Sequence, residues 1–222
     1  MTAPTLNLAD VYYRTSDRFD LLIPELSITP GITVVVGANG SGKSTLLRLL
    51  ATAIAPTSGR YTVAGIAADP GSRLVSIRRM LGYLPQEDST PPRLRVFDHV
   101  DLIAIAREID PNQRARRRSV GNTLVEADLS DLANERCGHL SGGQRRRVAV
   151  AAALVGDAKI LVLDEPDTGV DDDHKLQLAQ ALRRRAHTAT IVVATHDTQW
   201  AAQIADRQLQ LHGGRLAVRP TI

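Results

Sequence analysis

The sequence predicts an α/β fold, with a mainly parallel sheet flanked by helices, an antiparallel β lobe, and a helical lobe inserted into the chain. Three observations carry this. The β-branched runs 32–36, 160–163 and 191–194 are apolar on both faces, as strands covered on both sides must be. Helical segments follow them, among them 44–53, stopped by Pro56 and Gly59, and 198–205, and strand–loop–helix repetition is the mark of layered α/β proteins. Between residues 87 and 155 the apolar spacing turns helical throughout.

The first strands, 6–13, 21–28 and 60–64, read as half-exposed and supply the antiparallel lobe. In the helical stretch, Val96, Val100 and Ile103 form one stripe and Leu102, Ile105 and Ile109 another, before Pro111 stops the helix. A second helix is expected to carry Leu124, Val125, Leu129 and Leu132, and a third spans 142–154. Segments 208–212 and 215–218 read as a hairpin turning at Gly213 and Gly214. The expected organisation is one domain over 1–222, with a core of 1–86 and 156–222 and a helical lobe of 87–155.

Composition excludes several classes. Of 222 residues, 43% are hydrophobic and 23% charged, the balance of a soluble globular domain rather than a disordered chain. The longest apolar run, 148–155, falls far short of the ~18 residues of a membrane span, and no signal peptide is visible, so a cytoplasmic location is expected. Cys137 is the only cysteine, so no internal disulfide forms. The net charge of +3 is small, and the arginine runs 116–118, 145–147 and 183–185 read as solvated helix faces, with no nucleic-acid partner expected.

Gly37-Ala38-Asn39-Gly40-Ser41-Gly42-Lys43-Ser44 fits the phosphate-loop pattern between a strand and a helix, with Thr45 next in that helix. Glycines at 37, 40 and 42 permit backbone geometry in which successive N–H groups converge on phosphate oxygens. Lys43 brings a charge to the β and γ phosphates, and the Ser44 hydroxyl suits Mg2+. Residues 160–166 end a buried strand on Asp164 and Glu165, where doubly wound sheets bind ligands. Asp164 suits Mg2+, directly or through water, and Glu165 suits a general base that polarises the attacking water. In Leu140-Ser141-Gly142-Gly143-Gln144, Ser141 and Gln144 form a capping box, and the two glycines expose backbone N–H groups at the helix start. A capping box alone also occurs on ordinary helices.

Together these motifs resemble the ATP-binding cassette (ABC) family over essentially the whole chain, in order as well as content. Residues 37–44 resemble its Walker A loop, Gln86 in Gly82-Tyr83-Leu84-Pro85-Gln86 its Q-loop, 140–144 its signature and 160–165 its Walker B strand. Asp171 resembles the D-loop aspartate and His196 the switch histidine. The resemblance implies ATP and Mg2+ as cofactors, with Ser44, Gln86 and Asp164 at the metal and Glu165, Gln86 and His196 in catalysis. It implies a head-to-tail dimer, homo or hetero, in which Ser141, Gly142, Gly143, Gln144 and Asp171 meet nucleotide held by the other subunit. It also implies a separate transmembrane permease, seated beside residues 85–97 and the helix after them, where Phe97 and Val100 are either coupling candidates or simply core residues, and a place on the inner face of the membrane. The compact chain looks closer to bacterial exporters than to importers with regulatory domains. The alternative is a soluble cassette ATPase, as in iron–sulfur assembly. A GTPase is disfavoured by the lack of an Asn-Lys-x-Asp motif, and a non-catalytic cassette by the presence of Glu165 and His196. Two features depart from the family pattern. Thr15, beside Arg14, stands where an adenine-stacking aromatic is usual, leaving Tyr12, Tyr13 or neither for that role, and Asp167 follows the Walker B proline in place of threonine or serine.

Overall fold

The structure is a computed structural model that describes residues 3–16, 19–87 and 89–219. Along the chain run β1 (Leu6–Ser16), β2 (Phe19–Ile28), β3 (Gly31–Val36), α1 (Lys43–Leu50), β4 (Ser58–Val63), β5 (Ile66–Ala67), α2 (Ser72–Met80) and β6 (Leu81–Leu84). Then follow α3 (Val96–Ala106), α4 (Gln113–Glu126), two short 3-10 turns, α5 (Gly142–Leu154), β7 (Ile160–Asp164), α6 (Asp172–Ala186), β8 (Thr190–Ala194), α7 (Thr198–Ile204), β9 (Arg207–His212) and β10 (Arg215–Arg219). Asp88, inside the segment read as the permease seat, lies outside the described residues. Among the described residues no helix is long and apolar enough to cross a membrane.

All ten strands join one sheet, ordered β5-β4-β1-β2-β10-β9-β3-β8-β7-β6. Its centre, β9-β3-β8-β7-β6, is parallel, and β1, β2, β4 and β5 pair antiparallel. The antiparallel lobe is thus continuous with the core, spliced to it by the C-terminal hairpin, whose β10 runs parallel to β2. That hairpin turns at Gly213 and Gly214, both at positive φ, as the sequence predicts. The doubly apolar runs are buried except at Val36, which is partly covered: Val34, Leu161, Leu163, Ile191 and Val193 are 0% exposed. Each such side chain stabilises the fold by about 1.5–3 kcal/mol, which fixes the strand ends that carry the chemistry.

Between β6 and β7 the chain builds a separate apolar cluster around Val96, Val100, Ala104, Val120, Leu124, Leu129 and Val148. Its entry and exit are stitched together by Val96 N–H to Glu135 O and Cys137 N–H to Leu94 O. Two details differ from the sequence reading. The second helix stops at Glu126, and Leu129 and Leu132 lie in the turns after it, because the Ala127–Asp128 segment leaves the helix with Asp128 at positive φ. The second stripe of α3 is not a core face, since Leu102 and Ile105 are about half exposed.

α2 and β6 have no clear signal in the sequence. β6 is four residues with a glycine inside it, and a Cβ on Gly82 would lie 2.0 Å from Ala153 O. Glycine there lets α5 close onto the edge of the sheet, a packing need that overrides strand propensity.

Candidate nucleotide site

β3 delivers the chain into the glycine loop, and α1 begins where the loop ends. Gly40 and Gly42 take positive φ, with Gly42 as the α1 N-cap at φ 102 and no side chain capping the helix. The first-turn amides, which no helix satisfies internally, therefore face the cleft with the positive end of the helix behind them. Gly37 admits no side chain, because a Cβ would lie 2.3 Å from Leu211 O. Lys43 donates to Gly37 O (2.7 Å) and Ala38 O (3.2 Å), so its ammonium is already drawn across the loop. Ser41 is 5% exposed and does not line the cleft.

The cleft is lined by Asn39, Gly40, Gly42, Lys43, Ser44, Thr45, Gln86, Glu165 and His196. Ser44 Oγ donates to Gln86 Oε1 at 3.0 Å, joining the start of α1 to the segment after β6. Asp164, at the end of β7, is 1% exposed. Both its carboxylate oxygens are buried without a hydrogen-bond partner among the described residues. Burial pushes its acid above the ordinary carboxylate range, with Glu165 adding to the rise and Ser44, Arg146 and Lys43 opposing it. A buried acid of this kind needs a cation or a proton to complete it.

Glu165 sits at φ 50, outside the comfortable region for a residue with a side chain, and its amide donates to Ala194 O at 2.8 Å. Its Oε2 accepts from Thr168 Oγ1 (3.2 Å), and its Oε1 lies 3.5 Å from His196 Nδ1. His196 is mostly exposed and Glu165 mostly covered, so the pair spans the step from solvent to cleft.

Several predicted residues stand elsewhere. Ser141 caps α5 by accepting from Gln144 N–H (3.2 Å), and Gln144 Oε1 accepts from Ser141 N–H (2.9 Å), the reciprocal box that the sequence predicts. None of Ser141, Gly142, Gly143 and Gln144 lines the cleft of their own chain. Asp171 caps α6 and accepts from His174 N–H (3.0 Å) and the His174 ring (2.6 Å), which holds its carboxyl below the usual range. Tyr13 packs against the main core, and the Tyr12 hydroxyl accepts from Arg14 Nε (2.8 Å), so neither enters the cleft. The Thr15 side chain lies outside the described residues. Val100 is fully buried in the helical cluster and is no surface for a partner, while Phe97 is partly buried with the Arg117 guanidinium 4.5 Å over its ring.

The structure also corrects the reading of the arginine runs as solvated. Arg116 pairs with Asp101 (2.8 Å), Arg185 with Glu126 (2.5 Å), and Arg146 reaches four backbone carbonyls beside the cleft. Asp167, whose role the sequence leaves open, is 3% exposed and accepts from Thr195 Oγ1 (2.8 Å). That contact latches the loop after β7 to the residue before His196, and the unusual acid at this position was its only signal.

Comparison with known proteins agrees with this geometry. The ABC transporter family profile matches residues 24–168. The chain is 33% identical over 217 residues to the Nod factor export ATP-binding protein I of Rhizobium etli, covering 97% of this chain and 67% of that protein. It is 32% identical to the macrolide export ATP-binding/permease protein MacB of Hyphomonas neptunium, covering 97% of this chain but only 34% of that protein. The dimeric structure of MJ0796, a bacterial ABC transporter cassette, superposes with a TM-score of 0.87 at 27% identity, over 98% of this chain and 100% of that one. The same cassette in a post-hydrolysis state bound to ADP and Pi gives 0.85. A phosphate loop, paired acids on the neighbouring strand and a capped signature helix, matched across nearly the whole chain, establish that this protein belongs to the ABC transporter family.

Proposed function

We propose that this chain is the ATP-hydrolysing subunit of an exporter, working as one half of a head-to-tail cassette pair docked on a separate membrane-spanning subunit. The observation that carries the reading is the split of phosphate-binding groups. Lys43, Ser44 and Glu165 converge on one cleft, whereas the Ser141–Gln144 helix end of the same chain lies outside it. A second cassette offering its own residues 141–144 and Asp171 would complete the site. The dimeric form of the MJ0796 cassette and the export roles of the two relatives support this arrangement and direction. In this reading 1–86 and 156–222 form the catalytic core, 87–155 the helical lobe, and the chain sits on the inner face of the membrane through its permease. The permease contact belongs to the groove of Leu84, Pro85, His99, Ile103 and Ala106 beside Gln86, not to the buried Val100.

ATP is the substrate, held by residues 37–45, with Lys43 turning its donors from the Gly37 and Ala38 carbonyls to the β and γ phosphates. Ser44, Gln86 and Asp164 fit Mg2+, because both Asp164 carboxylate oxygens are buried without a hydrogen-bond partner among the described residues, beside Ser44. When bound, that ion neutralises phosphate charge and polarises the phosphoryl oxygens. Glu165 then takes a proton from water as its oxygen bonds to the γ-phosphorus and the bond to the β-phosphate oxygen breaks, leaving ADP and phosphate. His196, 3.5 Å from Glu165 on the solvent side, is placed to hold the γ-phosphate or that water.

The test is Glu165→Gln, which keeps the size of the side chain and removes the base. Turnover should fall by about 10^2 to 10^4, roughly 3–5 kcal/mol of barrier. ATP binding should persist, and the protein should elute as an ATP-bound dimer in size exclusion. Near-normal hydrolysis would remove Glu165 from the mechanism.

A further inference from the structure

Arg146 lies one turn into α5, just past the signature. Its Nη1 donates to Pro85 O (3.0 Å) and Gln86 O (3.4 Å), and its Nη2 donates to Glu165 O (2.8 Å) and to Asp164 O. One planar guanidinium thus joins three segments: the signature helix, the strand end bearing the paired acids, and the segment bearing Gln86. We infer that Arg146 is a positioning residue that locks the backbone of Glu165 to the signature helix and to Gln86, so that the catalytic carboxylate is aligned only when these three segments are in register.

Two physical points support it. Glu165 occupies a left-handed backbone conformation at φ 50, a geometry that persists only where neighbours hold it. Its amide is held by Ala194 O, and its carbonyl by Arg146. Second, a rigid helix links the two ends of the device. The Ser141–Gln144 turn and Arg146 both belong to the capped end of α5, so a push on the first displaces the second. Such a displacement shifts the Gln86 and Glu165 carbonyls together. Lysine cannot substitute, because an ammonium lacks the planar fork that faces two pairs of carbonyls at once.

This inference rests on Glu165 being the base, and the experiment separates the two. Arg146→Lys and Arg146→Met would be made alone and with Glu165→Gln, measuring kcat, KM, affinity for a fluorescent ATP analogue, single-turnover hydrolysis and melting temperature. The expected result for folded Arg146→Lys is a kcat lowered about 10- to 100-fold with KM and ATP affinity nearly unchanged, the pattern of a lost transition-state alignment. Arg146→Met should lose at least as much. In the Glu165→Gln background neither change should slow single-turnover hydrolysis further, since the group being positioned is gone. The inference is overturned if folded variants keep kcat within about twofold, if ATP affinity falls in place of kcat, or if the losses multiply in the Glu165→Gln background. Failure of both variants to fold would also overturn it, assigning Arg146 to the core alone. Near-normal hydrolysis by Glu165→Gln itself would instead sink the role of Glu165.

Discussion

Two helices of this chain begin with glycines and offer an N-terminus suited to phosphate, yet they begin in opposite ways. α1 starts at Gly42 in a left-handed conformation with no side-chain cap, and its first turn opens into the cleft formed with Glu165 and His196. α5 starts at Ser141 with both halves of a capping box closed. An uncapped start leaves donors that a ligand must satisfy, whereas a capped one is stable before any ligand arrives. The contrast teaches that the α1 end leaves donors open towards a cleft of its own chain, while the α5 end is already closed, which is what the proposed head-to-tail pair would require of a surface that meets nucleotide carried by another copy.

The largest break of this contrast should come at α1. Lys43→Ala removes a charge-assisted donor, a loss of about 1.5–3 kcal/mol, so ATP affinity should fall by roughly 10- to 150-fold. Ser141→Ala should leave the affinity of the isolated chain for ATP unchanged. Titration with a fluorescent ATP analogue reads both, and equal losses in the two variants would erase the distinction between the helix ends.

Gly143→Ala tests how tightly the α5 end is packed. A Cβ there would lie 2.7 Å from Gly169 O, in the loop that links Glu165 to α6. Overpacking of this kind costs about 1–3 kcal/mol, and for a chain of this size each kcal/mol lowers the melting temperature by about 2–4 °C. An unchanged melting temperature would show that the α5 end and this loop are free to part. Ser141→Ala should cost less, about 1 kcal/mol of stability, because it removes only the cap on the Gln144 amide.

The same contrast explains what the sequence made legible. The phosphate loop, the paired acids and the capping box are local patterns, set by residues within eight positions of one another, and each lies on the element expected of it. The 142–154 helix and the Gly213-Gly214 hairpin were readable for the same reason. What escaped depends on distant partners. Arg146 looks like one of three exposed arginines until β6 and β7 bring the carbonyls of Pro85 and Asp164 to it, and Asp167 has no visible role until β8 places Thr195 against it. β6 stayed hidden because Gly82 answers to α5, far along the chain. Val100 fits both a coupling and a core reading in the sequence, because a buried stripe and a docking stripe share one periodicity, and its full burial selects the core.

The smallest effect concerns a junction between the helical lobe, which carries α4, and the core. Glu126, the last residue of α4, pairs with Arg185 (2.5 Å) and Arg184 (2.6 Å) of α6, tying the helical lobe to the core far from the cleft. Arg185 first, then Arg184, holds the Glu126 carboxyl down to about 2 against the opposing effect of partial burial. A carboxyl depressed in the folded state binds its proton more readily in the unfolded chain. Its stabilisation is therefore complete above the unfolded value of 4.5 and is lost as pH falls from there towards 2. Solvent reaches the pair, so the full shift overstates its worth, and about 0.5–1 kcal/mol is the expected contribution. Melting curves of the native chain and Glu126→Gln should differ by this amount at pH 7 and draw together as pH falls from 4.5 towards 2. A difference that persisted undiminished at pH 3 would mean that Glu126 acts through packing. The two lobes would then be joined there by a contact that protonation cannot release.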